Sequence, residues 1–238
     1  MRRFYDDQNF VADQPTPLSA GPSHHIGRVL RMAAGDPLVL FNGQGGEWRG
    51  QITAIDKKAV TVVVDTFEAI DRTPPLAVHL GLPMIKGERM DYALQKATEM
   101  GVSSITVLET HHGEVRLKGE RLEKKRQHWQ QVLISACEQC GLNRLPVLTA
   151  TVPLTAWLNT PLPALRLIAH PGEAAFNPAV LSGVSELALL TGPEGGFSSD
   201  ELQQAQAAGC QSFALGQRVL RAETAPVALL GALWAWVG

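Results

Sequence analysis

The residues best equipped for chemistry lie between positions 189 and 225, in the stretch LLTGPEGGFSSDELQQAQAAGCQSFALGQRVLRAETA. Gly192-Pro193-Glu194-Gly195-Gly196 follows the apolar run Leu187 to Leu190 and precedes Ser198-Ser199-Asp200-Glu201. That tetrad reads as a capping box, with the Ser198 hydroxyl taking an orphan helix amide and Glu201 reaching back. A second glycine turn, Leu215-Gly216-Gln217-Arg218-Val219-Leu220, follows Gln211-Ser212-Phe213-Ala214 and leads through Arg221, Glu223 and Thr224 into an apolar helix. Glycine at a strand-to-helix turn lets main chain approach a ligand without a Cβ in the way. Alone, Gly-Pro-Glu-Gly-Gly would be only a tight turn. The crowding of Arg218, Arg221, Glu223 and Thr224 beside a second such turn, where charge is otherwise sparse, points instead to a small-molecule pocket.

Those turns need strands to carry them, and the chain supplies a run of strands and then an alternation. Pro37 to Phe41, Trp48 to Ile55 and Ala59 to Phe67 read as strands, separated by turns at Asn42-Gly43 and Lys57-Lys58. One helix is predicted there, from Ser23 as N-cap to Ala33, with Ile26, Val29, Leu30 and Ala33 on its apolar face. A small barrel with one basic helix is the expectation. Arg72-Thr73-Pro74-Pro75 marks a boundary. Beyond it, strands at Leu76 to Leu82, Ile105 to Leu108, Ala164 to Ala169 and Glu186 to Leu190 alternate with helices at Glu88 to Met100 and Gly119 to Cys140. Alternation of this kind predicts an α/β domain with a mostly parallel sheet. Ligands in such sheets bind outside the carboxyl ends of strands, so the loops at His170-Pro171-Gly172, Gly192 to Gly196 and Leu215 to Leu220 should meet at one site.

Composition narrows the classes. The chain has 238 residues, 45% apolar content and a net charge of −2, as expected of a globular protein with a sizeable core. Its cations fall mainly into an N-terminal group (Arg2, Arg3, Arg28, Arg31, Arg49) and a cluster from Lys86 to Arg126, so a polyanion could be held locally. Lys124-Lys125-Arg126 reads as a solvated helix face. Neither G-x-G-x-x-G nor a Walker-type lysine loop occurs. With three cysteines, Cys137-x-x-Cys140 has no second pair and reads as packed small residues near a helix end. The paired histidines lack metal-ligand spacing, so no metal is expected. The opening Met1-Arg2-Arg3 leads into no apolar run, and Ala225 to Val237 is too short to span a bilayer, so the expected location is cytoplasmic.

Read together, Gly192-Pro193-Glu194-Gly195-Gly196-Phe197-Ser198 and Leu215-Gly216-x-Arg218-Val219-Leu220-Arg221-x-Glu223-Thr224-Ala225 resemble the RsmE family, bacterial 16S rRNA (uracil-N3)-methyltransferases of the SPOUT superfamily. His24-His25-Ile26-Gly27-Arg28-Val29-Leu30-Arg31-Met32, Gln95-Lys96-Ala97-Thr98-Glu99-Met100-Gly101 and Ala136-Cys137-Glu138-Gln139-Cys140-Gly141 extend the likeness, in order, over nearly the whole chain. Two positions depart from the pattern: His111-His112, and Leu142 where arginine is common. Both fall on elements expected to face RNA.

The resemblance implies a PUA-like RNA-binding β-barrel over residues 1–72 and a SPOUT α/β methyltransferase domain with a deep trefoil knot over 73–238. It implies S-adenosylmethionine as cofactor and a homodimer formed through the second domain, with Ala228, Leu229, Ala232, Leu233 and Trp236 packing partly into the second subunit. By position, cofactor contacts are expected from Ala169, His170, Pro171, Thr191, Gly192, Glu194, Gly195, Gly196, Leu215, Gly216, Arg218, Val219 and Leu220. The expected substrate is 16S rRNA, free or in the 30S subunit, contacted by His25, Arg28, Arg31, Lys86, Arg89, Gln139 and Arg144. N3 methylation needs an arginine for the charge developing on a uracil oxygen, first Arg221 and then Arg218. It also needs a base for the imide proton, Glu194 or Glu223; each could equally be structural, and the base stays open. Two other readings are a SPOUT ribose 2′-O-methyltransferase and a non-enzymatic RNA-binding or ribosome-assembly protein; a small-molecule α/β enzyme is disfavoured by the basic barrel.

Overall fold

A computed structural model describes residues 1–237. The chain separates into two compact units, Met1–Thr73 with Ile134–Leu145, and Pro74–Leu133 with the chain from Pro146 onward. No helix among the described residues is long and apolar enough to cross a membrane.

The first unit contains β1 (Arg2–Tyr5), β2 (Thr16–Pro17), α1 (Ala20–His24), β3 (Pro37–Phe41), β4 (Glu47–Ile55) and β5 (Val60–Glu68). They form one sheet in the order β1-β3-β4-β5-β2, with β1 parallel to β3 and the other pairs antiparallel. Phe4, Leu38, Leu40, Ile52, Val62 and Val64 fill the core against Ile26. The helix predicted from Ser23 to Ala33 differs in the structure. It starts at Ala20, and after His24 it widens into a π turn over His25–Val29, with the Leu30 N–H donating to His25 O at 2.9 Å. Ser23 is no cap: its buried hydroxyl donates to Leu18 O at 3.0 Å and accepts the Val60 N–H at 3.1 Å, fastening the helix to β5. The wider turn breaks the expected apolar face, burying Ile26 and leaving Val29 59% exposed.

Charge is also buried in this unit. Glu47 is 3% exposed and accepts from Arg3 and Arg72, both at 2.6 Å. Burial alone would raise its carboxyl pKa, but the hydrogen bonds from Arg72 and Arg3 outweigh that and hold it below the ordinary value. Arg144 donates to Asp71 at 2.8 Å and to Gln44 O at 2.7 Å. Its guanidinium lies so close to Gly45 that a Cβ there would approach it to 2.8 Å. Thr73 and then Arg144 bring the Asp71 carboxyl down to about 2. That contribution to stability is complete above the ordinary carboxylate range and fades as pH falls toward 2. Cys137 packs with Phe41 and Leu142, and burial pushes its thiol up to about 12. Leu142, expected on an RNA-facing element, is buried at 8% exposure.

The second unit alternates β6 (Ala77–Pro83), α2 (Glu88–Glu99), β7 (Ser104–Glu109), α3 (Gly119–Cys140), β8 (Val147–Pro153), α4 (Leu154–Leu158), β9 (Leu165–Ala169), β10 (Glu186–Leu190), α5 (Ser199–Ala207), β11 (Cys210–Phe213) and α6 (Thr224–Val237). Residues Ile134 to Cys140 of α3 group with the first unit. The six strands form an all-parallel sheet in the order β11-β9-β10-β6-β7-β8. Both faces are covered, as parallel sheets require, which is why the strands are near-continuous apolar runs. On β10, Leu187 and Leu189 join a core with Leu94, Leu133, Leu229 and Leu230, whereas Ala188 and Leu190 join another with Trp157 and Ala205.

Candidate active site

The carboxyl ends of β9, β10 and β11 each release a loop, and the three loops line one cavity of about 380 Å³. Ala169, His170 and Pro171 come from the first, Gly192 to Phe197 from the second, and Phe213 to Gly216 with Arg218, Val219 and Leu220 from the third. Ala222, Ala225 and Leu229 of the following segment complete the wall. The loop after β9 is fixed to the third loop by His170 N–H donating to Phe213 O at 2.9 Å and Ala214 N–H donating to Ala174 O at 2.9 Å.

The loop after β10 is held from several sides. The capping box is present: Ser198 N–H donates to Glu201 at 2.8 Å, and Glu201 N–H donates to the Ser198 hydroxyl at 3.3 Å. The other Glu201 oxygen accepts the His111 N–H at 2.7 Å. His112 Nδ1 lies 3.1 Å from Gly196 O, and a Cβ on Gly195 would come within 2.8 Å of the His112 Cβ. Glu194 pairs with Arg89 of α2 at 3.0 Å. Gly196 has φ +71°, a left-handed conformation that glycine adopts without cost. His111-His112, expected on an RNA-facing element, therefore packs on the glycine loop.

The loop after β11 is different. Val219 is 76% exposed, and Arg218 and Arg221 are exposed and form no ion pair among the described residues. Arg221 O accepts the N–H groups of Thr224 and Ala225 at 2.9 and 3.0 Å, which starts α6.

Of the residues expected around a cofactor, all line the cavity except Thr191. That residue is fully buried behind the second loop, with a hydroxyl that has no partner among the described residues. Of the four expected catalytic residues, Arg218 and Glu194 line the cavity. Arg221 and Glu223 flank Ala222 without lining it, and one Glu223 carboxylate oxygen is buried without a partner. His170 Nδ1 makes no hydrogen bond among the described residues and lies 3.9 Å from a Glu173 carboxylate oxygen. Periodicity gives no reason to include Phe197, Phe213 and Leu229; an apolar side chain at a strand end looks the same whether it meets a core or a ligand.

The expected RNA contacts fall into both units. In the first, Arg28 lines a cleft of about 330 Å³ with His24, Lys57 and Lys58. In the sequence the two lysines read only as a hairpin turn, although two adjacent cations at a strand end are visible there. Arg31 is exposed at φ +50°, His25 packs edge-on against Phe4 with ring centroids 5.8 Å apart, and Gln139 is exposed. Arg144 is engaged by Asp71 and Gln44. In the second unit Lys86 is exposed and Arg89 is paired with Glu194.

A family model described as an RNA methyltransferase domain matches residues 72–234, and one described as an RNA methyltransferase PUA domain matches residues 23–65. Ribosomal RNA small subunit methyltransferase E of Buchnera aphidicola (subspecies Schizaphis graminum) is 31% identical, over 97% of this chain and 94% of its own length. A methyltransferase of Legionella pneumophila, solved in complex with SAM, superposes with a TM-score of 0.93 at 37% identity, over 98% of this chain and 96% of that one. Ribosomal RNA small subunit methyltransferase E of Neisseria gonorrhoeae, solved bound to S-adenosyl methionine, gives a TM-score of 0.92 at 31% identity, over 99% and 97%.

Proposed function

This chain belongs to the ribosomal RNA small subunit methyltransferase E family, and from that premise we propose that it methylates N3 of a single uridine in 16S rRNA with S-adenosylmethionine as donor. The observation that carries the reading is the convergence of three strand-end loops on one cavity with Arg218 in its wall. The residues there fit the donor. Gly192, Gly195 and Gly196 present main chain, Phe213, Leu215 and Leu229 offer apolar faces for an adenine, and His170 offers a polar ring edge. When bound, S-adenosylmethionine supplies an electrophilic methyl group for in-line displacement.

The chain's own residues then have to align the uracil, take its imide proton and steady its charge. Arg218 and Arg221 are free to face a uracil carbonyl oxygen, where negative charge grows as the N3 proton leaves. Glu194 is engaged by Arg89, whereas Glu223 keeps one oxygen without a partner. We therefore assign proton acceptance to Glu223. Because N3 lies on the Watson–Crick edge, the uridine must be unpaired or turned out of its stack. In this reading residues 1–72 are a PUA-like barrel that holds RNA through His25, Arg28, Arg31 and Lys57-Lys58, with Gln139 and Arg144 added from the stretch Ile134–Leu145 that groups with it. Residues 73–238 are a SPOUT domain with a trefoil knot, which adds Lys86 and Arg89 and pairs with a second copy in a cytoplasmic homodimer. Digestion of 16S rRNA treated with the protein and S-adenosylmethionine should yield 3-methyluridine. A 2′-O-methyl nucleoside would refute the N3 assignment, and calorimetry showing RNA binding without donor binding would refute the activity.

A further inference from the structure

A second cavity of about 360 Å³ lies in the same unit, between the end of β6, the start of α2, the segment before α3 and one face of α3. It falls within the range of small-ligand sites, ~300–1,000 Å³. Its floor is apolar, from Met84, Met90, Leu117 and Trp129. Lys86, Arg116 and Lys125 also line it, against one carboxylate, Glu114. Neither Lys86 nor Lys125 makes an ion pair among the described residues, and Arg116 reaches Glu109 only at 4.0 Å. Lys124 and Arg126 behave as the solvated face expected of them, pairing with Glu120 at 2.7 Å and Glu123 at 3.0 Å. Lys125 between them turns to the cavity instead.

Trp129 adds the second observation. It is 3% exposed, and its indole N–H has no acceptor among the described residues. A buried donor left unmatched is costly, so a tryptophan in that state at a cavity wall is suited to a ligand that brings an acceptor. A flat apolar floor, one indole donor and three cations match a nucleotide: a base with a carbonyl or ring-nitrogen acceptor, and a phosphate. The place is apt, because Arg89, one residue before Met90 of this cavity, pairs with Glu194 of the first cavity. His112, two residues before Glu114, packs on Gly195.

Resting on the proposed activity, we infer that this cavity is a second nucleotide subsite. It would hold a base and phosphate of the rRNA strand next to the target uridine, with Trp129 Nε1–H donating to the base and Lys86, Arg116 and Lys125 holding the phosphate. The subsite would keep the strand in place while the target base is turned into the first cavity.

The test uses the full chain and an oligoribonucleotide of 16S sequence that the intact protein binds, followed by fluorescence anisotropy over a salt series. Lys86→Ala with Lys125→Ala should weaken binding about tenfold and reduce the salt slope by about 1 for each phosphate no longer neutralised. Trp129→Phe removes the indole donor and keeps an aromatic ring at the cavity wall, and it should weaken binding several-fold without changing the slope. In the intact protein, the ¹⁵N-labelled Trp129 indole N–H resonance should move downfield when the oligoribonucleotide is added. Affinity for S-adenosylmethionine should stay the same throughout. Unchanged RNA affinity and slope in the lysine variant, or an indole resonance that does not respond to saturating RNA, overturns the subsite. The product assay on the unaltered protein is separate: absence of 3-methyluridine there sinks the proposed reaction, while the binding comparison still judges the subsite.

Discussion

The loops after β10 and β11 line the same cavity but are built on opposite plans. The first is fastened through Glu201, which bonds Ser198 and His111, through the Glu194–Arg89 pair, and through the contact of Gly195 with His112. The second, past Ala214, leaves Val219 76% exposed and two arginines without acidic partners among the described residues. A preformed wall fixes a ligand's position at little entropic cost. An unfastened wall bearing free cations is suited to meet something that arrives later. Under the proposed function, the fastened wall would serve the methyl donor and the loose one would meet RNA.

Substitutions can break that contrast, and the largest effect is expected on the loose side. Arg221→Ala should lower methyl transfer by about 10²–10³-fold, with donor affinity and thermal midpoint unchanged. A parallel loss of donor affinity in calorimetry would place Arg221 on the wrong side of the division. Gly195→Ala attacks the fastened side: its Cβ meets His112 at 2.8 Å, and overpacking of this kind costs about 1–3 kcal/mol. Donor binding should weaken by about tenfold or more. Full affinity in that variant would mean the loop is not preformed. Glu201→Ala removes the acceptor of two main-chain N–H groups and should reduce unfolding free energy by about 1–2 kcal/mol, read from denaturant midpoints. The smallest effect is expected from Val219→Ser, which should change stability by less than about 0.5 kcal/mol. A larger loss that depends on protein concentration would reveal a subunit contact at that residue.

Much of this is legible in the sequence, for reasons that can be named. The α/β alternation, the bounds of α3 and β10 and the meeting of three loops follow from periodicity, glycine placement and the rule for strand ends. The capping box is readable because both partners sit within four residues, Ser198 and Glu201. Interactions between distant residues are not. Nothing local at Ser23 announces that its hydroxyl will be claimed by Leu18 and Val60, so a residue typical of N-caps misplaces the helix start by one turn. β1 and β8 are not signalled either; Arg2 to Tyr5 alternates too briefly to mark a strand without its partner β3. Lys125 looks like its neighbours because facing a cavity or solvent is decided by the packing of α3, not by the run of charges.

Strand order has one further consequence, for the timing of assembly. β10 slots between β6 and β9 although some hundred residues separate it from β6, with Leu189 opposite Leu80, and every residue that walls the first cavity falls between Ala169 and Leu229. Pairings over such sequence distance form slowly, because a long stretch of chain must be ordered before the contact rewards it. During synthesis the proposed donor site cannot be complete until the chain through Leu229 has left the ribosome. In refolding, recovery of S-adenosylmethionine binding should trail the return of helical circular dichroism.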